Sequence, residues 1–151
     1  MADVFPIELL LVEDNPADVR LAREALREAQ VEVNLTSAED GVVALEMLRQ
    51  QAPFEETPRP DIILLDLNLP SVDGHTLLAE IKRDERLRSI PVVVLTTSSD
   101  PLDIFNAYNA GASFYVTKPP DLDDYMDTMQ QIEQFCFRLA KLPPRKPPSS
   151  S

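Results

Sequence analysis

Short apolar runs alternate along this chain with longer stretches in which apolar residues recur every three or four positions. The runs, residues 7–12, 31–35, 62–65, 92–95 and 114–116, are rich in Ile, Leu and Val and read as five strands. The periodic stretches read as helices: 16–29, with Val19, Leu21, Ala22, Ala25 and Leu26, then 41–50, with Val43, Ala44, Met47 and Leu48, then 76–83, 101–110 and 122–141. Asn15 before Pro16 and Asp100 before Pro101 are helix-start signals, a capping side chain followed by a proline that has no N–H to satisfy.

Near-continuous apolar strands alternating with amphipathic helices predict an α/β fold: a parallel sheet covered on both faces, with right-handed crossovers. The expected architecture is a flavodoxin-like (βα)5 three-layer sandwich, strand order 2-1-3-4-5, with an extended C-terminal helix. One domain is expected over residues 1–142. Residues 51–60 (QAPFEETPRP) predict an exposed, extended loop, and residues 143–151 (PPRKPPSSS) a disordered tail.

Composition narrows the function. Fourteen basic against twenty-six acidic side chains give a net charge of −12, which argues against nucleic acid and anionic membrane surfaces as direct partners. No apolar run reaches membrane-span length, and MADVFPIELL lacks the marks of a secretory signal, so a cytoplasmic place is expected. The single cysteine, Cys136, cannot form an intramolecular disulfide and is expected to pack. Lone His75 is assigned no role.

The chemistry gathers where strands end. Glu13 and Asp14 close the first strand and Asp66 the third, so in a parallel sheet three carboxylates meet at the carboxyl edge. Such a cluster repels itself unless a hard divalent cation, Mg²⁺ or in its place Mn²⁺, neutralises it. Thr96 and Lys118 close the fourth and fifth strands at the same edge. An aspartate nucleophile, a metal held by acids, a hydroxyl and an ammonium together make a phosphoryl-transfer site.

These residues carry a resemblance. Glu13-Asp14-Asn15, the run LLDLNLP at 64–70, Asp73-Gly74, Thr96-Thr97, Gly111-Ala112, and Tyr115 with Lys118-Pro119 resemble the receiver domains of two-component response regulators. The likeness extends from Ile7 to Leu139, and the intervals of thirty residues from Asp66 to Thr96 and twenty-two from Thr96 to Lys118 match the bacterial chemotaxis receiver. It implies that Asp66 is a phosphoacceptor served by a sensor histidine kinase, the chain being no turnover enzyme. It implies that Asp14, Asp66, Glu13 and the backbone carbonyl of Asn68 hold Mg²⁺, that Thr96 and Tyr115 form a switch pair, and that Lys118 pairs with the phosphoryl group. A cis Lys118–Pro119 bond is expected from the family. Thr97 and Pro120 depart from the common pattern.

With no output domain in view, the signal is expected to leave through the surface. Leu122, Tyr125, Met126, Met129, Ile132, Cys136 and Leu139 form one stripe of the last helix, and Phe135 and Phe137 fall outside it. Those two phenylalanines predict a partner surface, with a homodimer through the fourth helix, fifth strand and fifth helix as the leading expectation and the downstream protein unknown. Within the family, the 51–60 loop, RPDIILLDLNLP, IPVVVLTTS and the long last helix resemble the small receivers paired with phytochrome-type histidine kinases.

Three rivals share the α/β pattern. A haloacid-dehalogenase-type phosphatase needs a second aspartate two residues after its nucleophile, where this chain has Asn68. A flavodoxin needs a hydroxyl- and glycine-rich loop after the first strand, where this chain has Glu13-Asp14-Asn15-Pro16. A phosphorylation-independent interaction module of the receiver fold is the third.

Overall fold

The computed structural model describes residues 5–146. Five parallel strands, β1 (Ile7–Val12), β2 (Val33–Ala38), β3 (Ile62–Leu65), β4 (Val92–Thr96) and β5 (Phe114–Thr117), form one sheet in the order β2-β1-β3-β4-β5. Helices α1 (Pro16–Arg27), α2 (Gly41–Leu48), α3 (Gly74–Arg83), α4 (Pro101–Asn109) and α5 (Leu122–Ile132) connect and cover them. This is the flavodoxin-like sandwich that the alternating pattern predicts.

The apolar strands divide by parity, because successive side chains point to opposite faces. Leu10, Val12, Ile63, Leu65, Val92 and Val94 meet Ala44 and Leu48 of α2, Leu77, Leu78 and Ile81 of α3, and Ala107 of α4. Leu9, Leu11, Ile62, Leu64, Val93 and Leu95 meet Ala22, Ala25 and Leu26 of α1 and Tyr125, Met129 and Ile132 of α5. Two cores sharing one sheet hold the carboxyl ends of β1, β3 and β4 rigidly side by side.

Each helix begins on a side-chain cap. Asn15 accepts from Ala17 N at 2.9 Å, Asp40 from Val43 N at 2.8 Å, Asp73 from Thr76 N at 2.9 Å, Asp100 from Leu102 N at 2.9 Å and Asp121 from Asp123 N at 2.8 Å. Asp73 starts α3 at Gly74, two residues before the expected 76.

Several expectations are corrected. β2 lies at 33–38 rather than 31–35, because its register is set by β1, Ile7 opposite Val33 through Val12 opposite Ala38. At the sheet edge, polar Asn34, Thr36 and Ser37 take strand positions that hydropathy does not flag. The last helix does not stay α-helical: α5 passes into a π-helical turn, Glu133–Leu139.

At 100° per residue Phe137 would lie about 140° from Ile132 and Leu139 within about 20° of it. The wider i→i+5 turn rotates Phe137 inward, where it is 6% exposed, and Leu139 outward, where it is 74% exposed. Phe137 is therefore a core residue and not part of a surface. Phe135 stays exposed, and Cys136 is buried, where desolvation raises its thiol pKa.

Residues 143–146, expected to begin a disordered tail, fold back to the amino ends of the strands. Arg145 pairs with both oxygens of Asp61 (3.0 and 2.7 Å), donates to Pro6 O at 2.6 Å and lies 5.4 Å over the Phe5 ring. A bidentate guanidinium–carboxylate pair and a cation–π contact order a segment whose composition alone argues for disorder. The rest of that tail lies outside the described residues. The 51–60 loop is exposed and irregular, with a cis bond at Ala52–Pro53. Lys118–Pro119 is not cis: the bond keeps the trans form that X–Pro prefers by about 0.5–1 kcal/mol.

Candidate functional site

The site is built at the carboxyl ends of three adjacent strands. Asp66 N donates to Val12 O at 3.0 Å, which seats the end of β3 against the end of β1 and brings Glu13, Asp14 and Asp66 together. Each of the three offers a carboxylate oxygen, and these atoms all lie within 4.8 Å of one another. Glu13 and Asp66 are buried, and Asp14 faces solvent. An oxygen-only donor set with one open side suits a hard divalent cation such as Mg²⁺ or Mn²⁺. Glu13 Oε2 accepts from Asn15 N at 3.1 Å, and Asp66 Oδ1 accepts from Asn68 N at 3.0 Å, so both carboxylates are aimed by their own loops.

Lys118 enters from the fifth strand. Its N–H donates to Thr96 O at 2.6 Å, continuing the β4–β5 pairing one residue past the strand. Its ammonium, 7% exposed, donates to Glu13 Oε1 at 2.6 Å, Asp18 Oδ2 at 2.9 Å and Asp66 Oδ2 at 3.3 Å. Thr96 is fully buried at the end of β4, and its hydroxyl has no hydrogen-bond partner among the described residues.

Three clustered carboxylates, a lysine and a buried hydroxyl gather at the ends of parallel strands, and the sequence model of the response regulator receiver domain matches residues 9–130. The chain belongs to that family. Rcp1 of Synechocystis sp., a response regulator, is 44% identical over 138 residues, covering 91% of this chain and 94% of Rcp1. The Mn²⁺-bound form of Rcp1 superposes with a TM-score of 0.89 at 44% identity, covering 92% of this receiver and all of that chain. The phosphorylated cyanobacterial phytochrome response regulator RcpA gives a TM-score of 0.90 at 44% identity, covering 93% and 100%.

One ammonium faces three carboxylates in this receiver, and burial and charge pull their proton affinities in opposite directions. Burial pulls the Lys118 pKa down, but its bonds to Glu13 and Asp18 and the charges of Glu13 and Asp66 outweigh that and hold it raised. Burial pushes Glu13 up from 4.5 to about 7, against the pull of Lys118 and with Asp66 adding repulsion. The ammonium is secure, and the surplus negative charge is relieved by a proton retained on the most enclosed carboxylate.

Between pH 4.5 and about 7 the unfolded chain loses the Glu13 proton and the folded chain keeps it. Its contribution to stability is therefore full below 4.5 and is lost as pH rises through 7. Glu13→Gln cannot ionise, so in EDTA its melting temperature should gain on wild type between pH 5 and pH 8. A constant difference across that range would refute the assignment.

The structure unites Glu13, Asp14, Asp66 and Lys118, with the Asn68 N–H on Asp66. It places Thr96 at the neighbouring strand end and Tyr115 one strand further out, where Tyr115 OH donates to Ser98 O at 2.8 Å. Phe135 lies on the α5 side, edge-on to Phe114 at 5.5 Å, and Phe137 is in the core.

Two features escaped sequence reasoning. Asp18 is an acidic residue in the first turn of α1 that the sequence does not single out, and its contact with Lys118 is a hundred residues distant in sequence. His75, given no role, sits 3.3 Å from Asp103, whose other oxygen accepts from Ser98 Oγ at 2.6 Å. The Ser98 hydroxyl and then His75 hold the Asp103 carboxyl below its ordinary range. That network ties α3 to α4 and to the loop after β4; no residue spacing announced it.

Proposed function

We propose that this receiver is a single-domain response regulator that accepts a phosphoryl group on Asp66 from a histidine of a sensor kinase of phytochrome type. The convergence of Asp66 with Glu13, Asp14 and Lys118 carries the reading. The likeness to Rcp1 over nearly the whole of both chains supports the single-domain form, and RcpA, a phytochrome response regulator, supports the class of kinase. Among the described residues no helix is long and apolar enough to cross a membrane, and a cytoplasmic place fits a partner of that kind.

In this reading Glu13, Asp14, Asp66 and the carbonyl of Asn68 hold the divalent cation, which neutralises the charge that gathers when a phosphoryl group meets three acids. Asp66 attacks phosphorus, a P–O bond forms, the P–N bond to the histidine breaks, and the imidazole leaves with the electron pair. Lys118 and Thr96 take phosphoryl oxygens, which answers the buried, unpartnered hydroxyl of Thr96. Tyr115, whose hydroxyl donates to Ser98 O in the loop after β4, follows Thr96 as the second half of the switch. The protein is a phosphoacceptor and not a turnover enzyme. Intact mass after acetyl phosphate with Mg²⁺ tests this, one added phosphoryl group that disappears with EDTA being the expected result.

Output fits a homodimer through α4, β5 and α5. Leu102, Phe105 and Tyr108 of α4, Phe114 of β5 and Phe135 beyond α5 are exposed together. Phe135→Asp should weaken the dimer roughly thirtyfold, the scale of an aromatic anchor worth about 2 kcal/mol. Sedimentation over a concentration series reads it, and an unchanged dissociation constant would remove Phe135 from the interface.

A further inference from the structure

An ammonium has three N–H donors and no acceptor, and Lys118 uses all three on Glu13, Asp18 and Asp66. If Lys118 is to reach a phosphoryl oxygen on Asp66, one of these bonds must open. Glu13 cannot give way cheaply: it is 4% exposed and its other oxygen is already held by Asn15 N, so solvent cannot replace the bond it would lose. Asp66 is the point of attachment. Asp18 is the remaining partner, and its side chain is 21% exposed in the first turn of α1, where water and the helix N-terminus can take over its charge.

We propose that Asp18 is a positioning residue that holds Lys118 at rest and yields it to the incoming phosphoryl group, so that its charge sets how readily the site accepts a phosphodonor. The proposal rests on the phosphoacceptor reading of Asp66. Asp18 is itself held from two sides. Asn15 caps its N–H at 3.4 Å, and buried Tyr125 of α5 donates its hydroxyl to Asp18 O at 3.3 Å. The carboxylate therefore reaches Lys118 from a fixed backbone and leaves it by a side-chain rotation, with no movement of the helix. In the exchange no covalent bond changes: one N–H···O bond from Lys118 to Asp18 is replaced by one to a phosphoryl oxygen.

The test compares wild type, Asp18→Asn and Asp18→Glu in two assays. The first is the rate of labelling by acetyl phosphate per unit donor concentration at fixed Mg²⁺. Asp18→Asn keeps the shape and drops the charge, so its rate should rise about two- to fivefold, the worth of one partly exposed ion pair. Asp18→Glu restores the charge and should return toward the wild-type rate. A purely structural role would lower the melting temperature and the fraction labelled without raising this slope.

The second assay needs no phosphorylation: the ¹⁵N ammonium resonance of Lys118 should exchange with water faster in Asp18→Asn than in wild type. A slower or equal labelling rate in Asp18→Asn overturns the proposal, as does an unchanged ammonium resonance. If wild type takes up no phosphoryl group while the resonance does respond, the phosphoacceptor reading fails and the hold of Asp18 on Lys118 stands.

Discussion

Asp66→Asn should reduce phosphoryl uptake from acetyl phosphate to background while the protein stays folded. The substitution preserves the size of a residue that is 7% exposed and removes the carboxylate proposed as the nucleophile. Lys118 keeps its two shorter bonds, to Glu13 and Asp18, and a crowded cluster loses one negative charge, so the metal-free variant should melt no lower than wild type. The product in wild type should also be labile to hydroxylamine, which cleaves the mixed anhydride of a carboxylate and a phosphate and spares a phosphate ester. Uptake by Asp66→Asn equal to wild type, or a hydroxylamine-stable product, would move the acceptor away from Asp66. A wild type that takes none from acetyl phosphate or from a kinase, beside a control receiver that does, would leave a phosphorylation-independent interaction module as the reading.

Gly74→Ala should cost about 3 kcal/mol or more and disturb the site with it. The β3–α3 loop closes on itself where Gly74 N donates to Leu67 O at 2.9 Å. A Cβ on Gly74 would overlap Leu67 Cα and stand 2.6 Å from Asp66 O, closer than real Cβ atoms approach. Both neighbours are backbone, so no side chain can turn aside, and relief requires moving the segment that carries Asp66 and Asn68. Urea unfolding should show a lower midpoint, and the Mg²⁺ concentration needed for labelling should rise. A variant with wild-type midpoint and wild-type Mg²⁺ dependence would mean that the loop yields freely.

Legibility followed burial. β1 and β3 were read to the residue because both lie inside the sheet, covered on both faces, and so carry the apolar runs Leu9–Val12 and Ile62–Leu65. β2 slipped because an edge strand needs apolar residues on fewer positions, and Val31 and Leu35 alone do not define its register. The exposed Phe135 was legible from helical periodicity, whereas Phe137 was not, because the π-helical turn changes the period itself. Arg145 was invisible as an anchor in a proline-rich tail until Asp61 was found beside it.

At the candidate site, the shared placement of Glu13, Asp14, Asp66, Thr96 and Lys118 could be read from the sequence, since each follows or closes an apolar strand and a parallel sheet turns all such ends to one edge. By itself the sequence determined the order of strands and helices, the layered fold and the residues gathered at that edge, because local periodicity and strand burial are written in consecutive positions. Only the tertiary structure decided that Asp18 shares Lys118, that His75 joins Asp103 and Ser98, and that Phe137 turns inward. Those outcomes depend on distances between segments far apart in the chain, or on a local change of helical pitch, and neither leaves a periodic trace in the order of residues.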